Sequence, residues 1–236
     1  MDLQTLGRTV WDRITPGAAP DPGWWLVLAL AAALAAVVPG PLWRRARLAV
    51  TIVHELGHAG VGILVGRRFT GFVVSADMSG HAVTVGPRRG PGRVASTWAG
   101  YPAPALLGAA LVQIALHGWA RTALFVALAV LVLALLFSRS WHTAATVIVT
   151  AAAVGALWWW GSPALCALLT LAGGVFLLLG AWRHLGAVSR RGGRADDPGQ
   201  LAELTPLPGW MWILSFALVL GACTAWAGQA LIALLP

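Results

Sequence analysis

The 236-residue chain has no lysine, no asparagine, a single tyrosine, two cysteines and only eight acidic side chains. Charged residues make up 10% of it against 58% hydrophobic, a mix that excludes a soluble globular domain and predicts an all-α integral membrane protein in a lipid bilayer. With no asparagine, no Asn amide can grip a ligand. Two cysteines cannot form a disulfide framework; Cys166 and Cys223 lie in apolar segments, where small hydrophobic filling is the expected role, with metal ligation or one disulfide as alternatives. All sixteen basic residues are arginine, and the formal charge of +8 is theirs. They cluster in short loops beside apolar runs, where arginine sets topology and touches anionic lipid head groups, so no nucleic-acid partner is expected.

What the chain has in abundance is apolar sequence of bilayer-crossing length. Residues 1–23 form a polar tail broken by Pro16, Pro20 and Pro22, and 24–236 read as a single polytopic domain. Apolar segments run from Trp24 to Trp43, Ala46 to Val65, Val94 to His117, Arg121 to Phe137, Trp141 to Trp160, Pro163 to Trp182 and Pro208 to Leu235. These give six or seven crossings, because Gly173-Gly174 could make the sixth segment re-entrant. Residues 69–86 alternate short apolar runs around Ser79-Gly80 and predict a small β-hairpin. One polar connection, 184–207, holds Asp196, Asp197 and Glu203. With seven crossings, twelve arginines fall on the side of the N-terminus and four (Arg44, Arg45, Arg47 and Arg121) opposite. The positive-inside rule then puts the N-terminus, the hairpin and the acidic connection in the cytoplasm.

Inside the second apolar segment stands His54-Glu55-Leu56-Gly57-His58. Ionisable groups at membrane depth cost a few kcal/mol each, so three within one helical turn mark a site. Imidazoles at i and i+4 share one helix face and can share a tetrahedral Zn²⁺, while Glu55, one position along, is free to act as a base. The motif predicts a zinc hydrolase. His58 lies nine residues before Arg67, about 13 Å along a helix, so the metal belongs toward the cytoplasmic face. A catalytic zinc takes a third protein ligand and leaves its fourth position to water. The candidates are Asp77, His81, His117, His142, His184, Asp196, Asp197, Glu203 and the cysteines; the last three of those histidines sit at segment ends and read as interfacial.

The HELGH helix, the hairpin after it, Ala99-Gly100-Tyr101-Pro102-Ala103-Pro104 in the next segment and Asp197-Pro198-Gly199-Gln200-Leu201-Ala202-Glu203-Leu204-Thr205 before the last together resemble the site-2 protease-like intramembrane zinc metalloproteases, in their compact bacterial branch. The resemblance covers about residues 46 to 215. It implies His54, His58 and Asp197 as zinc ligands, Glu55 as the catalytic base and a membrane-protein substrate cleaved in or near its transmembrane segment; the exposed edge of the hairpin is a strand that could hold such a segment once unwound. Asp196, Asp77, His81 and Pro102 are further candidates for substrate or ligand-supporting contacts. The chain departs from better-studied members in having no Asn, in following Asp197 with Pro198 and in carrying no PDZ-like insertion. A membrane zinc hydrolase of lipids or small amides, or a non-catalytic metal-binding scaffold, are the alternatives; oligomeric state is not encoded.

Overall fold

The computed structural model describes residues 2–17, 23–74, 80–190 and 196–233, with backbone alone at 3, 6, 72–74 and 80–82. Ten helices and one two-stranded sheet are found among them. Helix α1 (Leu3–Ile14) is capped by Asp2, whose side chain accepts from the Thr5 amide. Helix α2 (Trp24–Val37) stops before Pro39, and Pro41 sits in the first turn of α3 (Gly40–Leu64), where a missing amide hydrogen does no harm. Strands β1 (Arg68–Val74) and β2 (Gly80–Val85) pair antiparallel as expected of the hairpin. Then come α4 (Pro91–Trp98), α5 (Pro102–Leu116), α6 (Ala120–Leu135), α7 (Trp141–Trp160), α8 (Pro163–Arg190), α9 (Asp197–Leu204) and α10 (Gly209–Ile232).

Helix α8 is the centre of the bundle and packs against α2, α5, α6 and α10. In its most apolar stretch 61% of residues are buried, against 17% in α7 and 22% in α10, so the latter two turn most of their apolar surface outward, as bilayer-facing helices must. Of the two readings left open at Gly173-Gly174, the continuous one holds: α8 runs through both. Gly174 instead allows α5 to touch α8, because a Cβ there would stand 2.7 Å from the Gly108 carbonyl oxygen, and a Cβ on Gly108 would stand 2.7 Å from that of Gly174. Small residues at such a crossing let two backbones approach where lipid supplies no hydrophobic drive.

Three helices, α7, α8 and α10, are long and apolar enough to cross a membrane, and the pairs α2–α3 and α4–α5 would each add one if counted as a single bent span. Helix α6, at 16 residues, is shorter. The two segments expected to cross separately at 24–43 and 46–65 therefore form one pair, bent by 101°. Pro39-Gly40-Pro41 ends α2, and Arg183 fixes the corner by donating from Nη1 to the carbonyls of Val37 and Val38 while its guanidinium lies over Trp43.

Helix α1 does not pack beside the hairpin. Arg13 donates to the Trp158 carbonyl at 2.8 Å, Thr122 donates to that of Ile14 at 2.8 Å, and Gly17 N–H donates to Gly118 O at 3.0 Å, so α1 sits where α6 begins and α7 ends. The hairpin sits where α6 ends and α7 begins: Phe69 packs on Phe137, and Arg139 Nε donates to Thr70 O at 2.6 Å. Gly71, at φ 139° beside the irregular step in the β ladder, is required there, since a Cβ would collide with Arg139 Nε and Phe137 O. About 24 Å of α6 separates the two ends, so α1 and the hairpin lie at opposite ends of the bundle.

Candidate metal centre

At the hairpin end, α3 carries His54, Glu55 and His58 into the junction of α4, α5, α8 and α9. Two glycines permit that approach. A Cβ on Gly57 would stand 2.5 Å from Ala103 Cβ and 2.7 Å from Ala99 O, and one on Gly100 would stand 2.5 Å from His58 Nε2 and 2.8 Å from His54 Cε1. Gly100 reaches the imidazoles because α4 and α5 meet at 56°, with Pro102 opening α5. Pro102 is itself fully buried, so it shapes the bend rather than facing a substrate. Gly100→Ala should therefore lower the affinity of this site for a metal ion by at least tenfold, the scale of lost supporting contacts. Chelator competition on the purified variant checks this, and unchanged affinity would show that the close approach is dispensable.

His58 is oriented by a reciprocal pair of bonds to α4: its Nδ1 donates to Ser96 O at 2.7 Å, and Ser96 Oγ donates to His58 O at 2.9 Å. With Nδ1 carrying the proton, the neutral ring directs the lone pair of Nε2 away from Ser96. That atom lies 3.1 Å from His54 Nε2 and 3.2 Å from Asp197 Oδ2; His54 Nε2 and Asp197 Oδ2 are also 3.2 Å apart. Asp197 Oδ2 is buried without a hydrogen-bond donor. Burial disfavours its ionised form, but the two imidazoles beside it prevail and hold the carboxyl well below the ordinary carboxylate range.

Two imidazole nitrogens and a carboxylate oxygen, all largely buried and within 3.2 Å of one another, form a cluster that a cation would stabilise. The spacing suits one. Ligands about 2.0 to 2.1 Å from a tetrahedral Zn²⁺ stand roughly 3.3 Å apart, close to the three separations here. The donor set, two imidazoles and one carboxylate, is of the kind that leaves a fourth position for water. Among the described residues, His54, His58 and Asp197 are the group able to hold a metal ion. Cys166 and Cys223 are free, buried and not part of it.

The other candidates fall elsewhere. Asp196 is the N-cap residue of α9 and its side chain makes no cap bond. Asp77 lies outside the described residues; the His81 backbone pairs with Val73, while its side chain lies outside them. His117 bonds to Gln113 O at the far end of α5. Glu55 follows His54 and is half-buried, near enough to His58 to act on it electrostatically. The surprise is His184, which reads in sequence as an interfacial histidine. Its ring lies 5.4 Å from that of His54 and 5.4 Å from that of Tyr101, and Tyr101 meets His54 edge-on at 4.8 Å. The unbroken α8 carries His184 to the site.

No curated protein and no solved structure matches the chain. The Peptidase M50B-like family matches residues 27–227, which include α3, the hairpin, α9 and most of α10. With 201 of 236 residues covered, the chain belongs to the Peptidase M50B-like family.

Proposed function

We propose that this protein is an intramembrane zinc metalloprotease that hydrolyses peptide bonds in or near the transmembrane segments of membrane proteins. The observation that carries the reading is the convergence of His54, His58 and Asp197 next to Glu55, at one end of an apolar bundle. Membership in a metallopeptidase family adds the reaction class. His54, His58 and Asp197 would hold the zinc, which supplies Lewis acidity and an acidified water. Glu55 takes the proton from the attacking water and returns it to the leaving amine. Ser96 keeps the His58 ring in the required tautomer. The hairpin, with only two strands, has backbone edges on which an unwound substrate segment could pair. A comparison of membrane proteomes from cells carrying wild type or Glu55→Gln tests the reading. Membrane-protein fragments present only with wild type support it; cleaved lipid or small amides instead would assign the site to another hydrolase class.

We also read six crossings, taking α2–α3 and α4–α5 as one each and adding α6, α7, α8 and α10. Of the described arginines, eleven lie at the hairpin end or on α3 (Arg44, Arg45, Arg47, Arg67, Arg68, Arg88, Arg89, Arg93, Arg139, Arg183 and Arg190), and three (Arg8, Arg13 and Arg121) at the other. The positive-inside rule then puts the site end in the cytoplasm and both termini across the membrane from it. Phosphatase fusions at either terminus should be active; a cytoplasmic N-terminus would restore α2 as a separate crossing.

A further inference from the structure

Helix α9 has two turns, too short to hold its own shape or direction, so its orientation comes from what grips it. One grip is apolar: Leu201 and Pro198 are fully buried. The second is a relay at its C-terminal end, where Thr205 Oγ1 donates to Leu201 O at 2.7 Å and accepts from Trp212 Nε1 of α10 at 3.3 Å. The third comes from α4: Arg93 Nη2 donates to Gln200 Oε1 at 3.1 Å. Gln200 and Asp197 are three residues apart, on one face of α9. Arg93 therefore resists rotation of α9 about its axis, the motion that would swing the Asp197 carboxylate away from the imidazoles.

The same spacing recurs on α4. Arg93 and Ser96 are also three residues apart, and Ser96 is the residue that orients His58. Trp98, at the end of α4, donates to Ser215 of α10 at 3.0 Å, three residues beyond the Trp212 that holds Thr205. Both ends of α9 are thus referred to α4, which also sets one imidazole.

We propose that Arg93 is a positioning residue for the metal centre, aligning Asp197 with the two histidines by holding Gln200. The proposal rests on the reading of His54, His58 and Asp197 as zinc ligands. It assigns α4 the task of keeping donors from two distant parts of the chain in one geometry.

The test is zinc affinity by chelator competition, with the visible spectrum of the Co²⁺-loaded protein as a report on coordination, using the full chain purified in detergent. Arg93→Met and Gln200→Met should each weaken zinc binding by ten- to a hundredfold, the scale of lost supporting contacts, and alter the Co²⁺ spectrum. The double variant should be no worse than either single one, because both remove the same bond. Gln200→Glu should bind like wild type when Arg93 is present and like the single variant when Met replaces it. Melting temperatures of the metal-free proteins, unchanged within a few degrees, separate this from a folding defect, and Gln200→Met probes the contact from α9 should Arg93→Met fold poorly. Wild-type affinity in both single variants, beside weakened binding in Asp197→Ala, would overturn the proposal alone. A wild-type chain that binds no zinc would overturn the reading beneath it.

Discussion

Glu55→Gln should leave the purified protein with its full zinc content and lower its hydrolytic rate by about a hundred- to ten-thousandfold, the usual worth of a positioned general base. The reason is positional. Glu55 is not among the three donors that converge, so replacing its carboxylate with an amide of equal size removes a proton acceptor and no ligand. His54→Ala makes the contrast, since it deletes one of the convergent nitrogens and should abolish zinc binding and activity together. Metal analysis and a cleavage assay on the same preparations distinguish the two. Full activity in Glu55→Gln would remove the enzyme mechanism drawn here, and loss of zinc would make Glu55 a ligand.

Asp197→Ala should weaken zinc binding by more than about a hundredfold, beyond the effect of losing a supporting contact, whereas Asp196→Ala should change it little. The two carboxylates are adjacent in sequence but not in role. Asp197 Oδ2 stands 3.2 Å from both imidazoles, while Asp196 occupies the extended N-cap position, with its carbonyl accepting from Gly199 and Gln200. Proline at 198 fixes the first turn of α9 directly after the Asp197 side chain leaves it. Titration of each variant with zinc checks the order; the reverse order would transfer the ligand to Asp196.

Residues close in sequence were the readable part of this protein. His54, Glu55 and His58 disclose themselves because four residues of helix fix their relation, and the hairpin discloses itself because its two strands lie close together in sequence. Asp197 was reachable only through resemblance, since nothing local relates it to a motif more than 130 residues earlier. Hydropathy measures the length of an apolar run and not its direction, so Trp24 to Val65 reads as two crossings, although Pro39-Gly40-Pro41 and Arg183 turn it into one bent pair. Gly173-Gly174 left two readings open for a related reason: glycine marks both flexible breaks and close helix contacts, and only Gly108, 66 residues away, decides between them. His184 could be named as a candidate but not placed, and Ser96 could not be read at all, because each matters through a partner on another helix.

X-ray absorption at the zinc edge of the purified protein tests the central claim most directly. The account predicts about one zinc per chain, bound by two imidazole nitrogens near 2.0 to 2.1 Å and oxygen donors at about 2.0 to 2.2 Å, without sulfur. A sulfur shell near 2.3 Å would bring Cys166 or Cys223 into the centre, and a protein that holds no zinc would contradict the account outright.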